Sequence, residues 1–240
     1  MLRVGFDLDG VVADFRTAFL GVAEQVIGRE YILRPGSPMP ELDSVSAADA
    51  KRVWKVISDT PNWWLTVPAY ESDQIARLYA LARQYRWEVS FLTTRAATAG
   101  DTVQVQSQTW LEQHGYYMPA VVTVPGSRGE IANALRLDTV VDDQYLNCLE
   151  VVGASQAKCL LILHMGDATL EEEATARGIG VVHDLAATLN VLVELQHLLP
   201  QNRGSFLRLS DWFGKSKEEG AILPLNPRKE RPLPRGTGTD

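Results

Sequence analysis

The sequence predicts an α/β protein: a Rossmann-like parallel sheet with helices on both faces and a small helical cap inserted after the first strand. Three observations predict it. From residue 1 to about 199, short apolar runs alternate with segments of helical periodicity, the pattern of repeated βαβ crossovers. Several of those runs end in carboxylate, hydroxyl or guanidinium side chains, where an open parallel sheet binds its ligands. The interval between the first and second strands, roughly residues 15–86, is too long for one crossover and must hold an inserted unit, placed at residues 16–66.

Each element has a local reason. Leu2-Arg3-Val4-Gly5-Phe6 reads as a first strand, ending at Asp7. Phe15, Phe19, Val22, Ala23 and Val26 recur at helical spacing, and Gly28 stops that helix. Residues 29–45 hold three prolines and a glycine and read as a loop. Ser46 is placed to N-cap a second helix carrying Val53, Trp54, Val56 and Ile57, and Pro61 ends it. Ile75, Leu78, Ala82 and Tyr85 mark a third helix, followed by a strand from Trp87 to Thr93. The rest alternates: helix 101–114, strand 121–124, a short helix 129–135, strand 139–141, helix 146–152, strand 160–163, helix 169–177, the run 180–182 and a last helix 184–198. The core is therefore expected at 1–15 and 67–199. Residues 200–240 are polar and rich in proline, glycine and charge, and read as a largely disordered tail, with Leu207, Leu209, Trp212 and Phe213 available to dock its start.

Composition narrows the function. With 240 residues, 45% hydrophobic and 22% charged, the chain has material for a sizeable core. No run of about twenty apolar residues exists, so no membrane-spanning helix is expected. Two aspartates in MLRVGFDLDG stand where a signal peptide has its apolar core, and the only cysteines are Cys148 and Cys159, so a cytoplasmic location is expected. The net charge is −7, unevenly spread: residues 200–240 hold eight Lys/Arg against five Asp/Glu, leaving 15 against 25 for the remainder. Such an acidic body is a poor nucleic-acid binder.

The chemistry gathers at strand ends. The first strand ends in Asp7-Leu8-Asp9-Gly10, the second in Thr93-Thr94-Arg95, and a later one in Asp142-Asp143, with Arg128 opening the helix before it. Two unit charges about 4 Å apart repel by roughly 4 kcal/mol at an effective dielectric near 20, so protons or a divalent cation must sit among the four carboxylates. Oxygen donors with room for water and phosphate suit Mg²⁺, and the lack of a Cys/His cluster argues against zinc. His114, His164, His183 and His197 are scattered, with capping or solvent-facing roles expected. Gly126-Ser127-Arg128-Gly129 lacks the lysine and length of a P-loop and reads as a helix-opening turn.

These residues resemble the motifs of the haloacid dehalogenase superfamily of aspartate-nucleophile phosphatases. FDLDGVVADF is similar to its first motif, and Thr93 at the end of an apolar run to its second. Arg128, fourteen residues before Asp142, corresponds to the third, and Val140-Val141-Asp142-Asp143 to the fourth. The resemblance implies that Asp7 attacks phosphorus, that Asp9 serves as acid and base, and that Thr93 and Arg128 bind the phosphoryl group. It implies Mg²⁺ held by Asp7, Asp9 through its backbone carbonyl, Asp142 and Asp143, and a C1-type cap between the first two motifs. Within the superfamily, DGVVADF, Asn62-Trp63-Trp64-Leu65 and Thr93-Thr94 resemble the 5′(3′)-deoxyribonucleotidase-like branch. That likeness implies a nucleoside monophosphate substrate, its base on Phe15 and on Trp63 or Trp64, with Thr94 and Arg95 also in the substrate site. Arg128 departs from the commoner lysine. Other readings are a phosphatase of another small phosphorylated metabolite, phosphoryl transfer or phosphonate cleavage on the same fold, a nucleic-acid end-processing phosphatase, and a catalytically silent scaffold.

Overall fold

The computed structural model describes residues 1–28, 46–124 and 126–198. The expected loop at 29–45 and the tail at 200–240, with its docking residues Leu207, Leu209, Trp212 and Phe213, lie outside the described residues. The strands are β1 (Arg3–Asp7), β2 (Glu88–Thr93), β3 (Ala120–Thr123), β4 (Thr139–Asp142), β5 (Lys158–Ile162) and β6 (Gly180–Val182). The α-helices are α1 (Phe15–Ile27), α2 (Ala47–Asp59), α3 (Ser72–Tyr85), α4 (Val103–Gln113), α5 (Arg128–Leu135), α6 (Tyr145–Ala154), α7 (Ala168–Ala176) and α8 (Leu185–Leu198). A 3₁₀ turn at Trp63–Thr66, which the periodicity does not mark, follows α2.

All strands are parallel, in the order β3-β2-β1-β4-β5-β6. The chain builds outward from β1 through β2 to β3, then returns to the other side of β1 with β4. The reversal of strand order therefore falls between β1 and β4, where crevices form in open α/β sheets. Alternation sorts the core onto two faces. Phe6, Phe91, Val141, Leu160 and Ile162 join one buried cluster with α3, α4 and α8. Leu92, Val140, Cys159 and Leu161 join the other with α5, α6 and α7. Helices thus cover both faces, as a parallel sheet requires. Among the described residues, no helix is long and apolar enough to cross a membrane.

The caps behave as their residue types demand. Asp14 accepts from Thr17 N at 3.0 Å, Ser46 from Asp49 N at 3.1 Å, and Gly28 closes α1 with φ of +64°. Phe19, Val53, Ile57, Trp63 and Trp64 are buried in the same cluster as Val4 and Phe6, so the inserted helices share the core of the sheet. Ile57→Ala is therefore expected to destabilise the whole molecule by about 2–5 kcal/mol, in a single urea transition. A separate early transition, leaving the main one unmoved, would show the insertion to fold by itself.

Candidate active site

The reversal of strand order concentrates acid. Val4, Gly5 and Phe6 pair with Thr139, Val140 and Val141, so one register step further Asp7 and Asp142 end adjacent strands. After β1 the chain folds back on itself, Val12 N and Ala13 N donating to Leu8 O and Gly10 N to Ala13 O. Gly10 sits at φ of +82°, and a Cβ there would lie 2.0 Å from Asp143 Oδ2. Glycine is needed at this position both for the turn and for the approach of the second acidic strand end.

Arg128, the first residue of α5, bridges the two strands. Its Nη2 donates to Asp7 Oδ1, and its Nε lies 3.4 Å from Asp142 Oδ2. Asp142 is fully buried and also accepts from Gln144 N at 2.9 Å and from Asn147 Nδ2 at 3.0 and 3.2 Å. Burial, then the charge of Asp142, pushes the Asp7 carboxyl well above the usual carboxylate range despite Arg128. Burial raises Asp142 as well, against Arg128, and burial followed by Asp142 raises Asp143 well above that range. A polar cavity of about 160 Å³ opens here, lined by Asp7, Asp9, Thr94, Gly126, Arg128, Gln144 and Asn147. Two donors of the buried Arg128 guanidinium, Nε and Nη1, have no hydrogen-bond acceptor, and the buried Asp143 Oδ1 has no partner. Buried polar groups seldom stay unsatisfied, so this geometry calls for an anion beside Arg128 and a cation or proton beside Asp143.

Asp9 is held from the other side. Arg95 Nε donates to Asp9 Oδ1 and Oδ2 at 3.1 and 2.9 Å, and Nη2 to Oδ1 at 2.8 Å. The Arg95 side chain is 0% exposed, against 23% for Asp9. Its guanidinium carbon stands 4.6 Å from the Trp64 ring, and its Nη1 donates to Ser107 Oγ at 3.1 Å. The expected substrate contact for Arg95 is thus corrected: its guanidinium is engaged within the protein and lines neither described cavity. Thr93 is buried, and its Oγ1 accepts from Arg95 N at 3.2 Å; Thr94 is exposed and lines the polar cavity.

A larger cavity of about 350 Å³ adjoins the first, with Asp9 and Gln144 common to both linings. Phe15, Arg16, Tyr70, His164, Met165 and Leu170 are among its walls. Phe15, expected in the substrate site, is among the residues lining this cavity. Trp63 and Trp64 are not: both are buried in a ring cluster with Phe15, their centroids 6.0 and 5.8 Å from it and 4.9 Å from each other. They gain more from leaving water for that cluster than an open site would offer them. In their place stand Tyr70 and His164, stacked at 3.8 Å and 18°. Tyr70 is delivered by Val67–Tyr70 running beside the loop after β1, with Asp14 N donating to Pro68 O at 2.8 Å and Tyr70 N to Val12 O at 3.1 Å. His164, expected in a capping or solvent-facing role, follows β5 and is partly buried, which lowers its basicity. Sequence reasoning missed Tyr70, Gln144 and Asn147. Asn147 alone carried a signal, as a polar residue in the first turn of the helix after Asp142-Asp143.

Mg²⁺ is tested by these groups. Among the described residues, no three His, Cys, Asp or Glu side chains stand close enough as placed to hold a metal ion. The donor chemistry nevertheless fits: oxygen atoms only, three carboxyls that resist joint ionisation, and the orphan Asp143 Oδ1.

No protein-family model matches the chain, and no curated protein matches it in sequence. Solved structures do share its fold. A haloacid dehalogenase-like family hydrolase from Streptococcus pneumoniae aligns with 80% of this chain and 98% of its own, at a TM-score of 0.51 and 12% identity. A hydrolase from Pseudomonas syringae aligns with 81% of this chain and 99% of its own, at a TM-score of 0.50 and 16% identity. At such identities the likeness speaks for architecture alone. The chain has the fold of a haloacid dehalogenase-like hydrolase.

Proposed function

We propose that this chain is a haloacid dehalogenase-type phosphatase that hydrolyses phosphate monoesters through an aspartyl phosphate on Asp7, acting on nucleoside or deoxynucleoside 5′-monophosphates. The observation that carries the reading is the position of Asp9, shared by two unlike cavities. The smaller holds Asp7 and the unpartnered donors of Arg128, a setting for a phosphoryl group. The larger has ring and aliphatic walls, a setting for an organic leaving group. The oxygen joining the two would lie at their junction, beside Asp9.

In this reading an Asp7 oxygen attacks phosphorus while Asp9 gives its proton to the departing oxygen, and Asp9 then takes a proton from the water that cleaves the acyl phosphate. Arg128 Nη1, which has no acceptor within the protein, supplies a donor to a phosphoryl oxygen, joined by Thr93 and Thr94 at the end of β2. Asp7, the Asp9 backbone carbonyl, Asp142 and Asp143 would hold Mg²⁺, which when bound neutralises charge on the carboxylates and the phosphoryl group. The segment 16–66 serves as the C1-type cap. A nucleoside is favoured because Phe15, Tyr70 and His164 offer ring faces, whereas a sugar's hydroxyls would want more polar partners. Cys148 and Cys159 are buried free thiols, in keeping with a reducing cytoplasm.

Phosphate release from a panel of nucleoside monophosphates and sugar phosphates, with Mg²⁺, tests this directly. Asp7→Asn and Asp9→Asn are each expected to keep the fold, and Asp7→Asn to lower turnover by about 10³-fold or more. A residual Asp7→Asn rate above about a tenth of wild type would exclude the covalent route, since acid–base help alone is worth about 10²–10⁴. Tyr70→Ala should cost about tenfold in kcat/KM for a nucleotide while sparing p-nitrophenyl phosphate; equal loss on both would make Tyr70 a packing residue.

The raised carboxyls set a pH dependence. The folded chain holds more protons on Asp7, Asp142 and Asp143 than the unfolded chain does. Their share of stability is complete below the unfolded value of about 3.9 and is lost as pH rises through the higher native values. Without divalent cations, Tm should therefore fall as pH rises above the ordinary carboxylate range. Millimolar Mg²⁺ should restore it most at the upper end, and Asp143→Asn should flatten the profile. A Tm indifferent to both Mg²⁺ and chelator would count against the metal site.

A further inference from the structure

Arg95 closes a chain of contacts that ends at the junction of the two cavities. Its guanidinium meets Asp9 as a fork: Nη2 donates to Oδ1 at 2.8 Å, and the single Nε–H is shared between Oδ2 at 2.9 Å and Oδ1 at 3.1 Å, so both carboxyl oxygens are held. The fork is fixed from behind: Nη1 donates to the buried Ser107 Oγ, and the guanidinium carbon lies 4.6 Å from the Trp64 ring and 5.9 Å from that of Trp110. The rings are themselves anchored, Trp64 Nε1 donating to Ala96 O at 2.9 Å and Trp110 Nε1 to Val67 O at 2.7 Å. The Asp9 side chain keeps 23% of its surface exposed, whereas that of Arg95 has none. A fully desolvated cation has thus been built in to grip a carboxylate that faces open space.

We infer that Arg95 is a positioning residue that fixes the plane of the Asp9 carboxyl, so that it meets the leaving-group oxygen in one orientation when the proton is exchanged. The inference rests on the phosphatase reading. In the first half-reaction an Asp7 oxygen bonds to phosphorus, the ester P–O bond breaks, and the proton on Asp9 goes to the departing oxygen, which leaves as the free alcohol or phenol. A carboxyl free to turn would meet that oxygen less often, and a misplacement of about 1 Å can cost on the order of 10²-fold. The indole packing of Trp63 and Trp64 then has a reason within the site: the stack that removes Trp64 from the substrate also backs the guanidinium that aims Asp9.

The readout is leaving-group dependence, which a merely structural role would not move. Phenyl phosphate needs its leaving oxygen protonated more than p-nitrophenyl phosphate does, and kcat/KM reports only the steps through phosphoryl transfer to Asp7. In Arg95→Met the ratio of kcat/KM for p-nitrophenyl over phenyl phosphate should widen by about tenfold or more relative to wild type. Asp9→Asn should widen it at least as far, and the double variant no further than Asp9→Asn alone, because both act through one proton. Arg95→Lys, which keeps the charge but not the fork, should fall between wild type and Arg95→Met. Ser107→Ala, which leaves the ion pair in place and frees only its backing, should shift the ratio the same way by less, and it serves if Arg95→Met melts before assay temperature. Equal loss on both esters in Arg95→Met and Ser107→Ala, or additive effects in the double variant, would overturn the positioning role while leaving the phosphatase reading intact. A wild-type enzyme that turns over neither ester with Mg²⁺ would overturn both.

Discussion

The repulsion among Asp7, Asp142 and Asp143 is the constraint around which the rest is arranged. It follows from topology: with β4 beside β1, two strands that each end in aspartate deliver those aspartates to one point. Low-dielectric surroundings make the cost of ionising them all large, and burial has already raised each. The molecule answers with fixed partners. Arg128 comes from the start of α5, Gln144 N and Asn147 from the start of α6, and all converge on Asp7 or Asp142. What they leave over is an orphan acceptor on Asp143 and orphan donors on Arg128. An arrangement complete in itself would show neither, and the pair is complementary to a cation and a phosphoryl anion.

Asp9 is treated differently. It lies outside that buried knot, partly exposed, and its single strong partner is Arg95. The two arginines divide the work: one lies among the carboxylates and retains free donors, the other spends its fork on one carboxylate and retains none facing a cavity. Such a division suits a site in which one aspartate must react with phosphorus and another must handle protons, since the two tasks need different surroundings.

The inserted segment shapes the approach. Phe15, Phe19, Trp54, Trp63 and Trp64 pack ring on ring, tying α1, α2 and the 3₁₀ turn to the body of the protein. The chain leaving that turn then passes beside the loop after β1, which is how Tyr70 reaches His164 beyond β5. The walls of the larger cavity are therefore built from segments far apart in the chain.

Much of this was legible in the sequence, because the signals are local. The alternation of apolar runs with helical periodicity reports the parallel sheet, Ser46 and Gly28 report their caps, and aspartates or hydroxyls after apolar runs report the strand ends that carry the site. The remainder depends on which surfaces meet. A tryptophan has the same composition whether it stacks on a ligand or on Phe15, so only packing decided that Trp63 and Trp64 are buried. Arg95 could reach substrate or Asp9 by spacing, and the closeness of β2 to β1 made it the latter. Tyr70 and His164 carry no motif, being brought together by two crossovers of the chain. What the sequence by itself determined is the order of strands' ends and the chemistry they bear, through short-range propensity. The tertiary structure alone decided which aromatic and charged groups face the cavities, because that choice is a competition for burial among residues distant in the chain.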